Sequence, residues 1–247
     1  MKRVLIAGAT SAIAHAAARR FAGEGATLML AARDPDRLAA NAADLCVLGA
    51  ARVETFVIDF DETPRQAELL AAAEADFGGL DLILVAWGVL PDQAACEGSV
   101  ALTLAAWQTN ATATIAFLTR AAMLLERQRQ GTLAVISSVA GDRGRRDNYV
   151  YGAAKAAIDA FLQGLRARLH GAGVRVITIK PGPTDTPMTA HRRKGPLFVS
   201  AERAGDLVYR AAIGSREVVY APAWWRPIML AIRLIPEGLM KRLNLSA

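Results

Sequence analysis

Seven short runs of aliphatic and β-branched residues punctuate this chain, at Arg3–Ala7, Ala26–Ala31, Arg52–Ile58, Asp81–Ala86, Thr132–Ser137, Val174–Ile179 and Glu217–Tyr220. Longer Ala-, Leu- and Arg-rich segments separate them, and their apolar residues recur at helical spacing, as in Leu118, Ala122 and Leu125, or Ile158, Phe161, Leu165 and Leu169. A helix inserted between two strands makes a crossover, so consecutive strands pair in parallel and right-handed connections cover both faces. The pattern predicts an α/β fold, doubly wound, with a seven-stranded parallel sheet and helices on both faces.

No linker or repeat divides the 247 residues, so one domain over residues 1–247 is expected. A hydrophobic fraction of 53% excludes a disordered chain, and Cys46 and Cys96 are too few for a disulfide scaffold. They read as reduced thiols in a cytoplasmic protein. The net charge of +6 raises nucleic-acid binding, but the arginines are scattered through the chain and no nucleic acid is expected. Lys2, Arg3 and the run to Ala7 imitate a secretory signal, yet Gly8, Thr10 and Ser11 cut the run short. No apolar stretch reaches the roughly 18–20 residues of a membrane span. The one long stretch without periodicity, Pro181 to about Ser200, leaves the sixth strand where open α/β sheets bind ligands, and its part at about 183–200 is expected to be a substrate loop.

After the first strand, Gly8-Ala9-Thr10-Ser11-Ala12-Ile13-Ala14 opens a helix. Such a strand–turn–helix directs free N–H groups and a positive helix end at an anion, typically a dinucleotide pyrophosphate, with Gly8, Thr10, Ser11, Ala12 and Ile13 around it. Further along the same half, Arg33 and Asp34 follow the second strand, Asp59 the third and Gly88 the fourth. Arg33 suits a 2′-phosphate, which favours NADP(H), with NAD(H) as the other choice; Asp34 either pairs with Arg33 or accepts from the ribose. No metal is expected.

Tyr151 and Lys155 lie four residues apart on a predicted helix, about 5–6 Å between Cβ atoms. An adjacent ammonium favours phenolate and brings a tyrosine toward working pH. An isolated pair of this kind is an ordinary exposed helix pair, but Ser138 at the end of the fifth strand can place a hydroxyl beside a carbonyl, and Asn110 lies among small residues of the long helix before that strand.

With the Gly8 turn, Asp59, Asn110, Ser138, Tyr151-x-x-x-Lys155 and Pro181-Gly182-Pro183-x-x-Thr186 in this order, the chain resembles the short-chain dehydrogenase/reductase family over essentially its whole length. The resemblance implies a Rossmann-type fold, a homodimer or homotetramer, and hydride transfer between a nicotinamide cofactor and a ketone or secondary alcohol. It implies Tyr151 as proton donor, Ser138 as the hydroxyl that orients the carbonyl, and Lys155 as the group that holds the nicotinamide ribose and lowers the tyrosine pKa. Asn110 would anchor a relay water, and Thr186, after Pro181 and Gly182, would contact the carboxamide. Ala7, Ala12 and Ala14 stand where the family turn has Thr, Gly and Gly, and Val85-Ala86-Trp87-Gly88 replaces its Asn-Asn-Ala-Gly.

The segments Val85–Gln93, Gly141–Arg146, Val150–Gly152 and Val219–Pro222 are similar to one branch of the family, which includes the keto-reductase component of decaprenylphosphoryl-ribose 2′-epimerase. That similarity implies a keto sugar on a polyprenyl phosphate. Arg143, Arg145 and Arg146, with His191, Arg192, Arg193 and Lys194, are candidate contacts for an anionic substrate, or else solvated loop charges. The tail at about 222–247, with Trp224, Trp225, Ile228 to Ile232, Leu234, Leu239 and basic flanks, reads either as an interfacial helix near acidic lipid or as a cover over the cleft or a partner subunit. A 3-oxoacyl-carrier-protein reductase and a cofactor-binding scaffold without turnover are the alternative functions.

Overall fold

A computed structural model describes residues 2–243. Strands β1 (Arg3–Ala7), β2 (Thr27–Ala32), β3 (Arg52–Val57), β4 (Leu82–Val85), β5 (Gly131–Ile136), β6 (Val174–Pro181) and β7 (Val218–Ala221) form one sheet in the order β3-β2-β1-β4-β5-β6-β7, parallel throughout. In register, Leu5 of β1 lies between Met29 of β2 and Ile83 of β4. The chain winds outward in one direction through β2 and β3 and in the other from β4 onward. A crevice therefore opens at the carboxyl ends of β1 and β4, where the two windings part.

Helices α1 (Ala12–Gly23), α2 (Pro35–Val47), α3 (Arg65–Phe77), α4 (Gln93–Glu97), α5 (Val100–Trp107), α6 (Ala113–Gln128), α7 (Tyr149–Leu169) and α8 (Ala201–Ile213) fill the connections. Alternate strand residues divide between two cores. Val4, Ile6, Leu28, Leu30 and Ile177 pack with Ala14, Phe21, Leu38 and Val208 of α1, α2 and α8. Leu5, Met29, Ile83 and Val135 pack with Leu69, Phe117, Leu125 and Ile158 of α3, α6 and α7. Strands covered on both faces read as unbroken apolar runs, which is why the sequence signal was clear. The abundant alanine brings α1 close to its neighbours: a Cβ on Gly205 of α8 would lie 2.4 Å from the Ala16 methyl.

Three local expectations need correction. β5 stops at Ile136, and Ser138 instead begins a 3₁₀ turn, Val139–Asp142, whose Ala140 N–H donates to its hydroxyl at 3.1 Å. Asn110 lies in a π-helical segment, Gln108–Thr112, between α5 and α6 rather than in one continuous α-helix. The 181–200 stretch is not structureless, since Thr184–Asp185 pairs in parallel with Val199–Ser200 and Pro187–Thr189 forms a 3₁₀ turn. The tail forms α9 (Trp225–Leu234) and α10 (Glu237–Met240); its residues 244–247, Leu245 among them, lie outside the described residues. Among the described residues no helix is long and apolar enough to cross a membrane.

Candidate active site

A cleft of about 360 Å³ follows the carboxyl ends of the strands. At one end Gly8 turns with φ +90°, and a Cβ there would lie 2.5 Å from the Trp87 nitrogen and 2.8 Å from the Ala86 carbonyl carbon. Only glycine allows β1 and β4 to part this closely. The Gly8 and Ala9 N–H groups both donate to the Ala31 carbonyl, at 2.8 and 3.0 Å, which ties the turn to β2. Thr10, Ser11, Ala12 and Ile13 line the cleft, and the Ser11 side chain makes no cap to α1, so the helix's first N–H groups are left for an anion. Of the three alanines that replace family residues, Ala7 and Ala14 are buried in the sheet-facing core and only Ala12 borders the cleft. One methyl, that of Ala12, is therefore added at the edge of the cleft.

Arg33 and Asp59 both line this end, 3.8 Å apart as an ion pair, with the Arg33 side chain 66% exposed. Asp34 neither pairs with Arg33 nor lines the cleft. It caps α2, accepting from the Arg37 N–H at 3.0 Å. Arg37, absent from the sequence-based set, lines the cleft and donates to the Thr10 carbonyl at 2.8 Å. Its only sequence signal is the four-residue spacing from Arg33 across an Asp-Pro helix start. Trp87, where the family has alanine, makes an aromatic floor: it stacks on Phe60 at 4.0 Å and meets Phe117 edge-on at 5.2 Å.

At the centre, Gly88 makes room for Asn110, whose Oδ1 a Cβ there would approach to 2.8 Å. The buried Asn110 amide clamps Val89, accepting from its N–H and donating to its carbonyl, both at 2.9 Å. Lys155 is buried beneath, donates to the Ile136 carbonyl at 3.1 Å and lies 5.6 Å from the Tyr151 ring centre. Ser138 and Tyr151 line the same part of the cleft, and the serine hydroxyl favours the ionised form of the phenol. Thus Ser138, Tyr151, Lys155 and Asn110 come together as expected. The electrostatics differ. Burial pushes the Tyr151 phenol up to about 12, opposed by the Ser138 hydroxyl and the positive charge of Arg192. Burial likewise pushes the Lys155 ammonium down to about 8, with Asp159 opposing. The predicted lowering of the phenol by Lys155 is outweighed because desolvation disfavours the charged form of both groups.

The 3₁₀ turn is pressed on α7: a Cβ on Gly152 would lie 2.9 Å from the Ala140 carbonyl oxygen, and one on Gly141 2.9 Å from Asp159 Oδ2. Behind them is a cluster that sequence reasoning missed. The Lys180 ammonium of β6 pairs with Asp142 of the turn and, at 2.8 Å, with Asp159 of α7, while the Tyr220 hydroxyl of β7 donates to Asp142 at 2.7 Å. Burial works against the Lys180 charge, but Asp159 and Asp142 outweigh it and hold the ammonium above its ordinary range.

Pro181, Gly182 and Thr186 line the cleft beyond β6. A Cβ on Gly182 would fall 1.9 Å from the Trp225 indole nitrogen, so the tail packs directly on the site, with Trp225 and Met229 buried against Val139. Only part of each basic cluster reaches the cleft. Arg143 fastens the tail, donating to the Ile235 carbonyl and to Glu237 at 2.7 Å, and Lys194 pairs with Asp185 at 2.6 Å. Arg146, His191 and Arg193 are exposed outside this cleft, whereas Arg145 and Arg192 line it. Among the described residues no three side chains could hold a metal ion.

The sequence pattern of the short chain dehydrogenase family matches residues 2–196. An uncharacterized oxidoreductase of Mycobacterium tuberculosis is 40% identical over 240 residues, covering 97% of this chain and 96% of its own. Sulfoacetaldehyde reductase 2 of Chromohalobacter salexigens is 36% identical over 213 residues, covering 84% and 80%. A solved short chain dehydrogenase from Burkholderia cenocepacia, in complex with NADP, superposes with a TM-score of 0.82 at 21% identity, covering 99% of this chain and 97% of that one.

Lys180→Met leaves two buried carboxylates without their cation, so urea unfolding at pH 7 is expected to show a loss of about 3–5 kcal/mol. Tyr220→Phe, which removes one hydrogen bond, is expected to cost about 1 kcal/mol. Equal, small losses would show that the cluster does not hold the site together.

Proposed function

Since the chain belongs to the short-chain dehydrogenase/reductase family and is an oxidoreductase of the CH–OH/C=O class using a nicotinamide cofactor, we propose that Tyr151, Ser138, Lys155 and Asn110 carry its chemistry. The observation that supports this most is that Tyr151, Ser138 and a buried Lys155 line one cleft, with the lysine ammonium 5.6 Å from the tyrosine ring centre. When bound, the nicotinamide supplies or accepts the hydride. The chain handles the proton. As a carbonyl carbon gains hydride, its oxygen takes the Tyr151 proton, and the phenolate that remains is stabilised by Ser138 and by the positive charges of Arg192 and Lys155. A phenol held at about 12 is fully loaded with its proton at neutral pH, which suits reduction. Asn110 positions the chain after β4 through its clamp on Val89. A non-catalytic scaffold would have no use for a buried lysine under a half-buried tyrosine.

The dinucleotide fits the other end, with its pyrophosphate at the start of α1 and its adenosine beside Arg33, Arg37 and Asp59. Two guanidinium groups favour NADP(H) over NAD(H). Residues 1–247 act as one cofactor-binding domain, with 183–200 as substrate loop. The branch similarity supports a keto sugar on a polyprenyl phosphate as substrate, acted on at the inner face of a membrane. So does the tail, whose outer face exposes Trp224, Leu230 and Leu234 beside Arg226 and Arg233, a match for anionic lipid.

Tyr151→Phe is expected to lower kcat for ketone reduction about 10²-fold or more while NADPH binding stays within about 2-fold; parent-like turnover would overturn the assigned acid. In the oxidative direction, where the phenol must first lose its proton, the rate should rise with pH through the alkaline range. Arg33→Ala with Arg37→Ala should weaken NADPH about 10-fold or more, equivalent to about 1.4 kcal/mol, and NADH little, by fluorescence titration; equal losses would remove the 2′-phosphate argument. Liposomes of anionic lipid should sediment the parent but not the Leu230→Glu/Leu234→Glu variant, and recovery of both in the supernatant would remove the membrane contact.

A further inference from the structure

We propose that Arg145, Asn148 and Arg192 form an oxyanion-binding subsite at the substrate end of the cleft, so that the carbonyl compound turned over there is hydroxylated and carries a phosphate or sulfonate group. The proposal deepens the oxidoreductase reading and rests on it. All three residues line the cleft. Arg145 and Asn148 belong to the segment between the Val139–Asp142 turn and α7, and Arg192 to the 183–200 loop; Gly8, Arg33 and Arg37, which serve the dinucleotide, come from β1 to α2 at the other end.

Two polar atoms here are buried and without a hydrogen-bond partner: Nε of Arg145 and Oδ1 of Asn148, whose residue is only 8% exposed. A buried donor or acceptor left unpaired costs about 1–3 kcal/mol, a cost folded chains tolerate where a ligand completes the bond. The two atoms differ in what they want. Arg145 offers donors in a fork that matches a tetrahedral oxyanion, and the Asn148 carbonyl oxygen accepts from a hydroxyl. Together they describe a ligand with both groups, as a sugar phosphate has.

The charges agree. Burial holds the Arg145 guanidinium below its ordinary range, and the charge of Arg192 pushes it the same way, with Asp147 opposing. Two guanidinium groups close enough to repel each other are relieved by an anion between them. Arg192 lines the same cleft as Tyr151 and its charge acts on the phenol, so the subsite and the proposed proton donor face one cavity. Arg143 is engaged by Glu237 and Lys194 by Asp185, and Arg146, His191 and Arg193 lie outside this cleft.

The test uses enzyme saturated with NADPH, which fills the dinucleotide's own phosphate sites, and inorganic phosphate as the probe in isothermal titration calorimetry. The parent should bind phosphate, and Arg145→Met and Arg192→Met should each weaken it at least 10-fold while retaining NADPH. In kinetics, kcat/KM for dihydroxyacetone phosphate should exceed that for dihydroxyacetone at least 10-fold, and the ratio should fall toward one in either variant. Arg145→Lys, which keeps the charge without the fork, should lie between. To distinguish sources, polyprenyl phosphate in detergent micelles is compared with the soluble ester as a competitor. Stronger inhibition by either, lost in Arg145→Met, supports the subsite and assigns its source. Absence of phosphate binding, or equal binding by parent and both variants, would overturn it. NADPH that fails to bind, or a fully active Tyr151→Phe, would instead sink the underlying oxidoreductase reading.

Discussion

One ammonium group, Lys180, holds the floor of the cleft in place. It lies between two buried carboxylates, one from the turn that follows Ser138 and one from the helix that carries Tyr151 and Lys155, while Tyr220 bonds the first carboxylate from the edge strand. Four elements that share no sequence neighbourhood are thereby fixed to one another. Charges out of water are expensive, and the cluster persists because the charges balance: Asp142 and Asp159 against Lys180 and Lys155. The balance also bears on chemistry. Asp159 supports the charge of Lys155 that burial works against, so the same carboxylate that locks the fold also steadies the amine under the phenol.

Close backbone approach is the second constraint, and it explains how the chain departs from its family without losing the site. Gly8 is irreplaceable because the Ala86–Trp87 backbone after β4 lies where its side chain would be, and Gly88 because the Asn110 side chain does. The other turn glycines of the family have given way to alanine where a methyl can be absorbed, in the helix–sheet core at Ala14 and at the cleft edge at Ala12. After β4, Trp87 fills the volume beside the Gly8 turn and stacks on Phe60.

The sheet and the Ser138, Tyr151 and Lys155 set were legible in the sequence for physical reasons. Strands buried on both faces leave continuous apolar runs, and a pair four apart on a helix must share a face. Other features had no local signature. Asp142, Asp159 and Lys180 meet only after the chain has crossed the sheet, so no spacing announces them. Arg143 and Arg145 look equivalent in a basic run, yet one fastens the tail and the other enters the cleft. Asp34 read as a ribose contact or an ion-pair partner, but the following proline starts a helix that claims it as a cap. The tail read both ways because it is two-sided: Trp225 and Met229 pack on the site while Leu230 and Leu234 face outward.

The direction of the two central shifts carries the last step. Burial drives the phenol and the amine alike toward their neutral forms, which at first sight disarms a lysine meant to lower a tyrosine's pKa. For the proton-donor role proposed for Tyr151 the requirement is the reverse. The phenol must arrive protonated, and charge must appear on it only as the carbonyl oxygen takes the proton. In that proposed role, a site that disfavours phenolate before the transfer, yet has a serine hydroxyl, an amine and the charge of Arg192 to favour it, keeps its stabilisation for the moment when charge develops. Desolvation thus works with the cationic neighbours, since the dry environment that raises the phenol also strengthens every contact that stabilises the phenolate it becomes.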